Sequence, residues 1–194
     1  MRFIKMMVAI AMTCLAVGGI AQSAAAETAA PAATAPGGPS VAILAGKLTL
    51  RLPMDFVDQR PADTAGQDTG VAVQLFANRE HSQVVGISTV RTVEGDANDT
   101  GDRAFNKMAQ GAMSGLKTQF KAVKKTAQST VTAGGHKFLR IDSEQEMRNS
   151  AIIGTLLITP YRDNVITVQV LSPAETAAEH NALVKTILDS VAFH

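Results

Sequence analysis

Cysteine is all but absent from this 194-residue chain: the one thiol, Cys14, falls within the first 26 residues. If those residues are removed on maturation, disulfides, thiolate metal sites and cysteine nucleophile chemistry are all excluded. Aromatic residues are scarce as well. Seven Phe, one Tyr and no Trp leave few rings on which bases or sugars stack. An excess of one charge is also lacking. Lys and Arg number 18 against 17 Asp and Glu, and loss of Arg2 and Lys5 leaves the charges nearly balanced. Without a basic field, nucleic acid is not an expected partner.

The one long apolar run covers residues 6–20, and at about 15 residues it falls short of the roughly 20 that span a bilayer. Arg2 and Lys5 precede it, and Ala24, Ala25 and Ala26 follow it ahead of Glu27. This is the layout of a bacterial-type secretory signal peptide with an A-x-A site, so residues 1–26 are expected to be cleaved after Ala26 and the mature chain to be periplasmic. Lipid attachment at Cys14 is the less favoured alternative. Thr13 rather than a small residue precedes it, and apolar residues continue through Ile20. Residues 27–40, rich in Ala, Pro, Thr and Gly, read as a flexible leader. Residues 41–194 then form one domain, large enough to bury roughly two-thirds of its unfolded surface without staples.

Alternation marks the strands. Leu48, Leu50 and Leu52 share a face, with Gly46 before them and Pro53 after. Residues 62–70 are a polar loop. Strands are predicted at 71–77, with Val71, Val73 and Leu75 opposite Phe76, and at 84–93, with a turn at 78–83. A helix is predicted over 101–124, capped by Asp99 or Thr100, its stripe running from Phe105 through Leu116 and Phe120 to Val123. Lys117, Lys121, Lys124 and Lys125 would then sit at the negative end of its dipole, with docking on anionic lipid at a membrane surface as the alternative. Four strands follow, at 126–132, 137–144, 151–159 and 165–171, joined by turns at Gly134-Gly135 and at 162–164. Pro173 introduces a closing helix over 174–191, striped by Leu183, Val184, Ile187, Leu188 and Val191. The order β-β-β-α-β-β-β-β-α is an α+β arrangement, an antiparallel sheet with helices packed on its faces.

Motifs that carry chemistry are missing. His81, His136, His180 and His194 have no metal-ligand spacing, and each is expected to be a solvated histidine. There is no G-x-S-x-G elbow and no S-x-x-K, and Ser114 lies mid-helix. Neither Gly37-Gly38 nor Gly134-Gly135 has the offset of a phosphate loop. Asp142, Glu144 and Glu146 share a strand face and read as a solvated acidic row, with cation or basic-partner binding as the alternative. Arg51, Arg140 and Arg148 read as solvated too. Tyr161 is either an interaction anchor or loop filler. No catalytic residue, cofactor or metal is expected. An unrecognised hydrolase or small-molecule binder would have to draw on His136, Asp142 or Glu144 around a deep polar pocket.

Several segments resemble the DcrB family of bacterial envelope proteins. They are Gly46-Lys47-Leu48-Thr49-Leu50-Arg51-Leu52-Pro53 with Asp55, Asp58 and Gln59; Gly135-His136-Lys137 running into Ile141-Asp142-Ser143; and Ile152 through Val165-Ile166-Thr167-Val168-Gln169-Val170 and Pro173 to Ile187-Leu188. The resemblance implies a Mog1/PsbP-like α/β/α sandwich and a non-enzymatic partner of larger envelope assemblies, in a family linked to phage adsorption or DNA entry. Its partner would be an envelope protein or an apolar peptide segment. A second branch of the family consists of chaperones for type VI secretion effectors, a reading that the signal peptide opposes. DcrB itself resembles a lipoprotein, from which the poorly placed Cys14 departs.

Overall fold

The computed structural model describes residues 38–59, 71–92 and 99–194. The expected signal peptide with Cys14, most of the leader and the whole of the expected 62–70 loop lie outside the described residues. The elements run β1 (Ser40–Ile43), β2 (Leu48–Arg51), β3 (Val57–Asp58), β4 (Val71–Asn78), β5 (Gln83–Arg91), α1 (Asp102–Gln119), β6 (Ala122–Ala133), β7 (His136–Met147), β8 (Ser150–Tyr161), β9 (Asn164–Pro173), α2 (Ala177–Ser190) and β10 (Ala192–Phe193), with a 3-10 turn at Ala174–Thr176 before α2.

Strand β9 is buried on both faces, as a strand covered from two sides is. It is the centre of a seven-stranded antiparallel sheet of order β3-β4-β5-β9-β8-β7-β6. Ile166, Val168 and Val170 point to one face, where α2 supplies Leu183, Val184 and Ile187. Val165 and Leu171 point to the other, where α1 supplies Phe105, Ala109, Ala112, Leu116 and Phe120. Each fully buried Val, Leu, Ile or Phe contributes roughly 1.5–3 kcal/mol. Beside α2 a second, three-stranded sheet, β1-β2-β10, completes the layer. Its Leu48 and Leu50, in the expected alternation, are buried with Leu52 in the α2-side core. Gln74 Nε2 donates to Ala42 O at 3.0 Å, tying the large sheet to the small one.

The expected order of elements holds, with three strands added. β1, β3 and β10 have four, two and two residues, too short to show a period. Ser40, placed at the end of the leader, opens β1. The first helix ends at Gln119 rather than residue 124, with Phe120 as its C-cap. Val123 still reaches the α1-side core, but from β6. The lysine cluster is therefore not a helix terminus. Lys117 alone lies in the last turn; Lys124 and Lys125 are on β6. The cap is also different. Gly101 is the N-cap, and Asp99 accepts from its N–H at 2.8 Å instead of capping the helix itself. The Gly134-Gly135 turn forms as expected, with φ of 55° and 79°. At Gly134 a Cβ would stand 2.8 Å from Val191 O, so the turn seats directly against the chain leading into β10.

Candidate functional site

Strand β7 carries the three residues singled out as possible chemistry, and its geometry keeps them apart. His136 and Asp142 are six residues apart on an extended strand, about 20 Å. The His136 ring stacks on Phe193 with centroids 3.8 Å apart and meets Tyr161 edge-on at 5.4 Å. Tyr161 is thus an anchor of the C-terminal aromatic cluster, with the Arg162 guanidinium 5.2 Å from its ring centroid. Glu144 is exposed and bonded to Lys124 at 3.2 Å, and Glu146 lies 3.7 Å from Lys121. Asp142, Glu144 and Glu146 do share a face, but each has a cation beside it: Arg140 on the same strand, Lys124 on β6 and Lys121 just before β6.

The expectation of a solvated His180 is overturned. This residue is 3% exposed, and it forms the centre of a buried chain of hydrogen bonds between α2 and three strands. Thr155 Oγ1 donates to Asp142 Oδ1 at 2.6 Å. Its remaining partner, His180 Nε2 at 2.9 Å, must then carry the proton. A neutral ring leaves Nδ1 as an acceptor, which takes the Ser172 hydroxyl at 2.9 Å. At the outer end, Arg140 Nε donates to both Asp142 oxygens at 3.0 and 2.9 Å. Burial holds the imidazole pKa below its usual value; Asp142 pulls it the other way and Arg140 opposes that pull. Ser172 and Thr155 are 0% and 1% exposed, so this relay offers no nucleophile to a substrate. Its sequence signal was phase. His180 lies three residues before Leu183 and four before Val184, on the same stripe that faces the core.

A second feature lies on the opposite sheet face. Helix α1 packs over β6 and β7, and no described helix lies over β4 and β5. There Leu75, Val84, Gly86, Phe120 and Leu171 surround a cavity of about 20 Å³ beside the α1 C-terminus, room for one water. Gln169, 6% exposed, lines it with an Nε2 that has no hydrogen-bond partner. Buried amides are nearly always paired, so an unpaired one needs an explanation. On β4 the flanking Val73 shares the face of Leu75 and is 40% exposed. Nearby, Gln145 Oε1 is also unpartnered, its amide lying where a Cβ on Gly154 would stand 2.5 Å away. Nothing in the spacing of Gln145 and Gln169 announced this. Both are polar residues at apolar-phase positions of strands, the one cue available.

A central antiparallel sheet, α1 on one face and α2 with a small sheet on the other, define the Mog1/PsbP-like class of fold. Among solved structures the chain is similar to cyanobacterial PsbP from Synechocystis (TM-score 0.62, 9% identity, 86% of this chain and 98% of that one). It is also similar to the Ran-binding protein Mog1p of Saccharomyces cerevisiae (0.53, 11%, 82% and 96%). A Bacteroides thetaiotaomicron structure matches at 0.56 and 12% identity over 81% of this chain, which spans about half, 49%, of that protein's length. At such identities the likeness is one of fold. No protein-family model and no curated protein matches the sequence.

Proposed function

We propose that the protein is a non-enzymatic binding or assembly factor of the bacterial cell envelope, of the DcrB type, acting in the periplasm after cleavage behind Ala26. The observation that carries the binding role is the apolar strip on β4 and β5 with the unpartnered Gln169 amide at its inner end. An apolar segment of a partner, laid along Val73 and Leu75, would bury the strip and bring a carbonyl to Gln169 Nε2. The address rests on the layout of residues 1–26. The Mog1/PsbP-like fold supports the reading, being shared with Mog1p, which is a Ran-binding protein.

The test is a photo-cross-linking residue at position 73 in intact cells, with a matched probe at exposed Asn181 as control. A discrete adduct at 73 that Leu75→Glu abolishes is the expected result. Adducts equal at both positions would sink the binding role, and mature protein retaining residues 1–26 in the cytoplasm would sink the address. That second outcome would favour the chaperone for secreted effectors, which the same apolar strip also suits.

A further inference from the structure

Between Pro173 and Leu183 a single residue, His180, is buried. Ala177, Ala178, Glu179, Asn181 and Ala182 are exposed, and Ala174 and Thr176 are half-buried. The apolar grip of α2 starts only at Leu183 and continues through Val184 and Ile187. The 3-10 turn and the first turn of α2 are therefore held to the sheet chiefly by the two hydrogen bonds of one imidazole, to Thr155 and Ser172. Outside, Glu179 adds an exposed contact to His81 at 3.4 Å.

We propose that His180 is an acid-released tether for residues 174–182: a proton from solvent taken up at Nδ1 turns the ring into a buried double-donor cation, Ser172 must turn its hydroxyl to accept from it and leaves its own proton without an acceptor, and the segment lifts ahead of Leu183, uncovering the Ser172 and Thr155 hydroxyls. The surroundings decide the direction. On β7, Asp142 favours the cation and Arg140 disfavours it, and Arg140 also occupies both Asp142 oxygens. Strands β8 and β9 offer only the two hydroxyls. Strand β6 presents Ala127, Ser129 and Val131, paired with Asp142, Arg140 and Phe138 and uncharged. Glu144 is engaged by Lys124, and Glu179 is exposed, 3.4 Å from the His81 ring. The N-terminal end of a helix is itself hostile to a cation. A ring buried as a neutral group titrates more easily once released, so acid favours the lifted state. One proton bounds the effect at about tenfold in the opening equilibrium per pH unit.

Hydrogen exchange on the full chain between pH 7.5 and 5, corrected for intrinsic rates, tests this. The expected result is a loss of protection in residues 174–182, approaching tenfold per unit below about pH 6.5, while 183–190 change little. Equal loss across α2 and β9, or none in 174–182, would overturn the proposal. His180→Gln, which cannot titrate, should remove the pH dependence, and Glu179→Gln should leave it in place. A His180→Gln profile matching the parent would also overturn it. Should that variant not fold, the ring carbon resonance of His180 in the parent protein decides. A titration midpoint coincident with segment release supports the tether, and titration without any release refutes it.

Discussion

Leu116, Gly134 and His180 illustrate three different ways in which one side chain matters here. Leu116 is fully buried beneath α1, and Leu116→Ala should lower stability by about 2–5 kcal/mol in urea unfolding, the usual cost of such a cavity. Gly134 has φ 55° and no space beside Val191 O. Gly134→Ala is expected to reduce the thermal midpoint, by the equivalent of about 1 kcal/mol or more. His180 governs acid stability. Its folded pKa is lowered, so above about pH 6.5 the ring is neutral in both states and its bonds count in full. As the pH falls below that value the unfolded chain takes the proton first and stability declines. A urea midpoint that His180→Gln leaves just as pH-sensitive would contradict this. The leucine was legible from its stripe and the glycine from its turn. The histidine was read as solvated because residue type was weighed above helical phase.

Elements were located well and bounded less well, for a physical reason visible at the end of α1. Phe120 and Val123 continue the helical spacing, but both point into the same core, the first as a cap and the second from β6. Spacing alone cannot separate these cases, because pairing with β7 from Ala122 onward decides where the helix stops. The relocated lysines lead to an expectation of their own. Lys121 and Lys124 are about three-quarters exposed beside Glu146 and Glu144, and exposed pairs of this kind contribute roughly 0–1 kcal/mol. Lys124→Gln should thus shift the urea midpoint by less than Leu116→Ala by a wide margin. An equal shift would mean that the β6–β7 edge depends on its charges. The candidate binding strip was only half legible. The shared face of Val71, Val73 and Leu75 was read from alternation, but that α1 lies over β6 and β7 and leaves the β4–β5 end of its face without a described helix is a tertiary fact.

On the scale of the whole molecule, two cores back onto one sheet. Leu50 belongs to the core beneath α2 and the small sheet, Leu116 to the core beneath α1. With the large sheet between them and no shared partner, Leu50→Ala and Leu116→Ala should be additive within about 0.3–0.5 kcal/mol in a double-mutant cycle. A larger coupling would show that strain crosses β9 from one core to the other.

The small sheet has one more consequence, and it concerns time. Strand β2 pairs with β10, so Thr49 waits for Ala192 before its ladder is complete, and His194 N then closes onto Lys47 O at 2.9 Å. In the large sheet, β5 likewise waits for β9. Such distant pairings form slowly, and none can form before β9 and β10 have been made. Among the described residues, the stretch up to Arg91 has only the β1–β2 hairpin and the β3–β4–β5 meander to settle into, and isolated antiparallel pieces of that size are marginal. The connectivity thus keeps the early strands loose until β9 and β10 are available, which suits a protein proposed to cross a membrane unfolded and to assemble on the far side.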